Sequence, residues 1–381
     1  MNWLAGFFAV LALIGLAQAV AGWVLVRRFA EAPRPEPARP PAVSVLKPLH
    51  GDEPLLEAAL ASLCAQNYPV FQIVFGVRDA DDPTLAVVAR LRASFPACDI
   101  AVVVDATPHG SNRKIENLMN MLPAATHDVL VIADSDVHVE DRYLRRLVGA
   151  LEGRDVGLVT TLYVGLPAWQ RSPAWLGAGG INWFFLPGAL LARAMGRQDC
   201  LGATMALRRE TLARIGGLEA LVDHLADDNR LGQLVRAQGF EVALAPTVPA
   251  TTVGEDSLDS LFRHELRWAR TIRALEPLGF AASVLQYKLV WAAFSLVAAP
   301  GFSTLALFAL IWLGGALAAR GIEQALAPLL KGLAFAAPVW LLPLRELFSV
   351  VVMAASYAGD RVEWRGHWLR AKPPATEKTG P

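Results

Sequence analysis

Val129-Leu-Val-Ile-Ala133 runs straight into Asp134-Ser-Asp136. Five consecutive apolar residues bounded by polar ones, rich in β-branched types, read as a buried strand. Side chains two apart on an extended chain share a side, so the two carboxylates project together from the strand end. Paired carboxylates of this kind suit a hard divalent cation, which can in turn bridge two phosphates. Asp-x-Asp alone is also a common turn or cap. Its position directly after a buried strand is what favours the functional reading.

Working outward, the same texture repeats. Val43-Ser-Val-Leu46 is a β-type run ending at Lys47-Pro48, and Phe71-Gln-Ile-Val-Phe-Gly-Val77 is a second, stopping in Asp79-Ala-Asp-Asp-Pro83. Ile100–Val104 is a third. Between them, Leu55–Ala65, Thr84–Ser94 and Lys114–Met121 carry apolar residues at helical spacing. Short apolar strands alternating with helices predict an α/β domain with a mostly parallel sheet covered on both faces. Such sheets bind ligands outside the carboxyl ends of their strands, which is where the acidic clusters fall.

The composition shows what flanks this domain. Of 381 residues, 18% are charged, but unevenly. Met1–Val26 has no charged residue, Leu289–Ala319 has none, and 56 of the 70 charges fall between Arg27 and Phe280. The average therefore describes a soluble-type domain set between apolar segments, and excludes a soluble enzyme or a chain of spans from end to end. Residues 3–26 are long enough to cross a bilayer, with Trp3 and Trp23 at the ends and Arg27-Arg28 following, which predicts a cytoplasmic domain. The small-residue Ala-Gln-Ala stretch resembles a signal-peptide site, but no basic region precedes it and the apolar run is too long. PRPEPARPP (33–41) predicts a semi-rigid spacer that lifts the domain off the membrane. Runs at 285–300 and 302–319, split by Pro300-Gly301, predict a hairpin. The region 329–358, interrupted by Lys331, Pro338, Pro343 and Arg345-Glu346, is either one kinked span or two re-entrant pieces. Segment 169–197 is aromatic but carries Pro173, Pro187 and several glycines, so it reads as an interfacial element or a buried aromatic stretch. The division is then 1–28 anchor, 29–42 linker, 43–280 catalytic-type domain, 281–358 membrane or re-entrant helices, and 359–381 basic tail. An even number of C-terminal crossings keeps that tail with the domain.

Equal numbers of basic and acidic residues (35 each) give no electrostatic case for nucleic acid. Cys64, Cys98 and Cys200 are too few and scattered for a disulfide framework or a zinc site. The remaining polar clusters carry the chemistry. Gly110-Ser-Asn-Arg-Lys114, small residues and a cation before a helix, could take a diphosphate on backbone N–H groups and Lys114, although it lacks the P-loop spacing. Asp227-Asp228 opens a helical run and is either a cap or a source of a general base. Arg263, Arg267, Arg270 and Arg273 surround His264 and Trp268. A planar, permanently charged guanidinium suits a leaving diphosphate; a basic helix facing anionic lipid is the other reading.

Taken together and in order, SVLKPLHGDEP (44–54), VRDADDP (77–83), DSDVHV (134–139), Ala226-Asp-Asp228 and RHELRW (263–268) resemble the inverting glycosyltransferase families 2 and 21. Family 21 is nearest, with its ceramide glucosyltransferases and hopanoid-biosynthesis glycosyltransferases. HGSNRKIENL (109–118) and FRHELRWARTIRALEPLG (262–279) look most like the hopanoid branch. The resemblance implies a GT-A type domain flanked by transmembrane helices in a bacterial-type inner membrane. It implies that Asp79 and Asp81 contact uridine, and that Lys114 reaches the diphosphate. Asp134 and Asp136 would hold the nucleotide and Mg2+ or Mn2+, and Asp228 would act as base. Arg267 and Trp268 would bind the diphosphate and acceptor side. His264 departs from the usual Gln or Arg. The implied reaction is inverting transfer from a UDP-sugar, N-acetylglucosamine first, to a lipid hydroxyl, a hopanoid such as bacteriohopanetetrol. The alternative is glucose to ceramide. A polysaccharide synthase would need more well-formed spans, and a non-catalytic scaffold would be expected to have lost some of these acids.

Overall fold

A computed structural model describes residues 2–37, 39–333, 336–364 and 367–370. Ten strands build two sheets: β1 (Val43–Pro48), β2 (Phe71–Val77), β3 (Asp99–Val104), β4 (Val129–Ala133), β5 (Val137–His138), β6 (Val156–Thr160), β7 (Val164–Pro167), β8 (Thr204–Arg208), β9 (Glu241–Leu244) and β10 (Ala250–Val253). The main sheet has the order β3-β2-β1-β4-β8-β6-β9, and only β8 runs against its neighbours. Its strands bury alternate residues in two different cores. Val43, Val45, Val129 and Val131 enter one, while Leu46, Leu130 and Ile132 enter the other. Both faces are thus covered, as an apolar parallel sheet requires.

The order places the carboxyl ends of β1, β2, β3, β4, β6 and β9 along one edge. β8 starts from that same edge, with Ala133 opposite Thr204, so the loop before β8 is delivered beside Asp134. The second sheet, β5-β10-β7, extends this edge. It is also the platform on which the helices dock. Leu162, Val164, Val248 and Ala250 pack with Val26, Leu186, Leu190, Ile322, Leu326 and Leu329.

Among the described residues, four helices could by length and composition cross a membrane: Trp3–Glu31, Ser172–Ala194, Phe302–Leu330 and Val339–Ser356, with Pro277–Gln286 and Lys288–Ala298 forming a pair bent by 62°. The hairpin around Pro300-Gly301 is present, between Lys288–Ala298 and Phe302–Leu330. Asn2 Nδ2 donates to the Ala298 carbonyl at 2.9 Å, so the tip of the first helix meets that hairpin. From Asn2 to Trp23 is about 31 Å along the helix, the thickness of a hydrocarbon core.

Three expectations change. The proline-rich segment does not hold the domain away from the membrane helices; it is fastened to the domain. Tyr68 Oη donates to the Pro41 carbonyl at 2.6 Å, Arg142 pairs with Glu36 at 3.3 Å, and Gly149 lies against the Pro35 carbonyl. Segment 169–197 is not broken: Ser172–Gly180, a π-turn at Ile181–Phe185 and Leu186–Ala194 run on as one helix. Pro173 sits in its first turn, where an N–H has no partner to lose, and Pro187 follows the wide π-turn. Trp183 is buried there, donating to Glu323 Oε1 at 3.0 Å. Finally, Arg345-Glu346 does not interrupt a helix but lies inside Leu342–Ser356. In the tail, Arg361–Trp364 and His367–Arg370 form a two-stranded hairpin; residues 365, 366 and 371–381 lie outside the described residues.

Candidate active site

The edge gathers residues from several separate stretches. Lys114, in the first turn of Arg113–Met121, lies 2.7 Å from Asp134 Oδ1 and 3.7 Å from Asp227 Oδ2. Burial works against its charge, but Asp134 and Asp227 outweigh that and hold its pKa above the ordinary lysine value. Asp227 Oδ2 is buried with no hydrogen-bond partner, so the lysine is its nearest compensation. Asp228 sits beside them at the start of Asp227–Ala237, with Oδ1 accepting the Asn229 N–H at 2.7 Å. Its pKa is raised to about 6, first by burial and then by Asp227. The backbone of Gly202, from the loop before β8, is packed against this carboxylate. A Cβ there would stand 2.9 Å from Asp228 Oδ2.

Asp136 is held from the second sheet: Thr251 Oγ1 donates to Oδ2 at 2.5 Å, and the Thr252 N–H reaches the Asp136 carbonyl at 3.1 Å. Burial and then Asp134 push its pKa up to about 6. Ser135 hydrogen-bonds Glu53 at 2.5 Å. Lys47 lies beneath the triplet, fully enclosed, donating to the carbonyls of Asp134 (2.8 Å) and Val137 (3.3 Å). Burial depresses it to about 8, against the pull of Asp136 and Asp134. Among the described residues no three of His, Cys, Asp and Glu converge into a metal cage. Two neighbouring carboxylates are nonetheless the donor set a Mg2+ or Mn2+ ion uses when substrate phosphates and water complete its shell. The residues fit such an ion.

The GSNRK segment differs from expectation. Its backbone donors are already engaged: His109 and Gly110 N–H on Glu116 (2.8 and 3.0 Å), Ser111 N–H on Asp223 (3.0 Å), Asn112 N–H on the Val222 carbonyl (2.7 Å), and Lys114 and Ile115 N–H on the Asn112 cap (3.0 and 3.2 Å). The segment locks itself to the 222–227 loop, and it meets the cluster through the Lys114 ammonium and the Asn112 amide, whose Nδ2 donates to Asp227 Oδ1 at 3.3 Å. Asp79 and Asp81 lie exposed at the same edge, after β2, outside the Lys114 cluster. Asp82, the member of the acidic run to which the resemblance gives no role, is the buried one. It accepts the Gly51 N–H at 3.1 Å and the Thr84 N–H and hydroxyl at 2.9 and 2.6 Å.

His264, Arg267 and Trp268 ride on Leu258–Leu275, reached from β10 through Glu255. His264 Nδ1 bonds Glu255 and its ring meets Trp268 edge-on at 4.3 Å. Burial favours a neutral Glu255, but His264, and behind it Arg267, keep the carboxyl below its usual range. Sequence reasoning missed Tyr163, whose phenol is kept protonated by burial and by the fields of Asp228, Asp134 and Asp136, and whose ring lies 4.8 Å from Phe185. No local signal marks it. Its place follows from β7 joining the second sheet.

A mostly parallel sheet with acids and a lysine along its carboxyl edge, built onto apolar helices, defines a membrane-type α/β protein of the GT-A kind. The model of glycosyl transferase family 21 matches residues 7–376, and the chain belongs to that family. It is similar to ceramide glucosyltransferase 1 of Caenorhabditis elegans, at 24% identity over 73% of this chain and 62% of that one. It is also similar to an N-acetylglucosaminyltransferase of Rhizobium meliloti, at 27% over 64% and 58%. The chain thus spans less than two thirds of either relative. The mannosyltransferase PcManGT from Pyrobaculum calidifontis, solved with GDP-Man and Mn2+, aligns over 92% of this chain and 99% of its own, at 18% identity and a TM-score of 0.49.

Proposed function

We propose that the protein transfers a sugar from a UDP-sugar to the hydroxyl of a membrane lipid, with inversion at the anomeric carbon. The observation that carries this is the cluster formed by Lys114, Asp134, Asp227 and Asp228, three sequence motifs brought within one hydrogen-bonded neighbourhood at the sheet edge. A divalent cation held by Asp134 and Asp136 would neutralise charge on the departing diphosphate. Lys114 moves from Asp134 toward the diphosphate, and Arg267 and Trp268 serve the diphosphate and acceptor side. Asp79 and Asp81, exposed at the edge, stand where uridine would reach them. Asp228 accepts the proton of the lipid hydroxyl as that oxygen attacks the anomeric carbon from the face opposite UDP. A pKa near 6 leaves this carboxylate ionised at neutral pH yet basic enough to help.

The preferred pair is N-acetylglucosamine and a polyhydroxylated hopanoid, the reading to which the HGSNRKIENL and FRHELRWARTIRALEPLG segments point; the N-acetylglucosaminyltransferase relative supports the sugar. Glucose and ceramide form the second reading, favoured by the ceramide glucosyltransferase relatives. In both, the domain faces the cytoplasm, where UDP-sugars are available. Incubating the purified protein with UDP-GlcNAc or UDP-Glc, each with bacteriohopanetetrol or ceramide, and weighing the lipids by mass spectrometry decides between them. A hexosamine added to the hopanoid is the expected product. A glucosylated ceramide alone selects the second reading, and no glycolipid from any combination rejects both.

A further inference from the structure

Leu342–Ser356 opens with two adjacent, oppositely charged and buried side chains, Arg345 and Glu346, which face different partners. The Arg345 guanidinium lies fork to fork on Glu265 of Leu258–Leu275, with Nη1 to Oε1 at 2.6 Å and Nη2 to Oε2 at 2.5 Å. It also donates to the Leu176 carbonyl at 3.1 Å and to Ser349 Oγ at 2.7 Å. Gly180 leaves it room, since a Cβ there would stand 3.2 Å from Cζ. Glu346 turns to the membrane bundle, accepting Lys288 Nζ and the Leu289 N–H, both at 2.7 Å.

The placement of Glu265 matters. Residues two apart on a helix project about 200° apart. Fixing Glu265 against Arg345 therefore turns Arg267 to the opposite side of Leu258–Leu275. That is the side of Glu255, the residue that links this helix to β10 and so to Asp136. Trp268, three residues past Glu265, projects only about 60° from it and so stays on the near side. A lysine cannot do this, because one ammonium does not hold both carboxylate oxygens and the Leu176 carbonyl in a plane.

We propose that Arg345 is a positioning residue: through Glu265 it fixes the rotation of Leu258–Leu275 and so aims Arg267 at the diphosphate of the nucleotide. This rests on the donor-side role given to Arg267 above. The test is UDP binding with Mn2+, measured by calorimetry on the full chain in phosphatidylcholine nanodiscs, which needs neither the sugar nor the acceptor to be known. Arg345→Lys is expected to weaken UDP binding about tenfold, approaching Arg267→Ala. The double variant Glu265→Gln/Arg345→Met leaves no unpaired buried charge. It is expected to keep a Tm near that of the wild type and still to bind UDP weakly. Lys288→Met/Glu346→Gln cuts only the bundle side and is expected to leave the UDP Kd unchanged, whatever it does to Tm. Wild-type UDP affinity in both Arg345 variants, with only Tm altered, overturns the positioning role while Arg267→Ala remains impaired. Wild-type affinity in Arg267→Ala, or no UDP binding by the wild type, removes the donor-side reading and the proposal with it.

Discussion

Asp228 shows how one environment can serve chemistry and oppose stability. In the proposed role of base it must be ionised, so kcat/KM is expected to rise with pH through about 6 and then level off. For folding the sign is opposite. Burial and Asp227 make the folded carboxyl hold its proton more tightly than the unfolded chain does. Stability is therefore lost as pH rises from about 4 to about 6. Asp228→Asn should lose about 10²–10⁴-fold in transfer, keep UDP binding, and unfold about 1–2 kcal/mol later above pH 6; activity assays and denaturant titration on one preparation measure all three. Equal stability of the two proteins would remove the burial argument. Gly202→Ala puts a methyl group against Asp228 Oδ2 and is expected to cut kcat more than UDP affinity. At this scale the acids and Lys114 were legible, because strand ends and helix starts are local. Tyr163, Gly202 and Lys47 were not. Each enters through a pairing between distant strands. The exposed Asp79 and the buried Asp82 cannot be told apart within one acidic run.

Among the elements, strands and short helices of the sheet domain could be read from alternation and spacing. The antiparallel β8 and the second sheet could not, since nothing in TMALR or ATTV announces which neighbour it pairs with. Proline misled twice. A run of prolines reads as a free spacer only until its carbonyls and Glu36 find partners on the domain, and Pro187 reads as a break only if the turn before it is α-helical. The linker contact is testable. Gly149→Val drives a side chain into the Pro35 carbonyl, which a Cβ would already approach to 2.4 Å. It should lower stability by about 1–3 kcal/mol, seen as a lower Tm with UDP affinity unchanged; an unaltered Tm would mean the linker is free to leave. Lys331, at the domain end of Phe302–Leu330, is a second fastening, through Asp141.

For the molecule as a whole, both ends of Leu342–Ser356 lie along Leu258–Leu275. Arg345 meets Glu265 at its start, and Arg273 donates to the Gly359 carbonyl at 2.7 Å just past its end. The two helices thus run side by side along most of their length. By length and composition Phe302–Leu330 and Val339–Ser356 are each candidate spans among the described residues, and Pro277–Gln286 with Lys288–Ala298 forms a bent pair; an even number of crossings, the expectation from charge placement, is what a tail on the sheet domain's side requires. A reporter fused after residue 381 should sit on the same face of the membrane as the sheet domain, with the Ala299–Gly301 turn opposite; impermeant thiol labelling of single cysteines reads this directly. A labelled turn and a labelled tail on one face would contradict it.

The fastened linker has a consequence for which lipids can react. With Glu36, Pro35 and Pro41 secured and Lys331 tied down, the catalytic edge cannot bob relative to the bilayer surface. It works like the fixed head of a lathe, cutting at one height. Under the proposed function, a hydroxyl carried at that height would be glycosylated, and one held higher or lower on an otherwise similar lipid would be passed over. Selectivity would then be measured in ångströms of headgroup reach as much as in the chemistry of the hydroxyl itself.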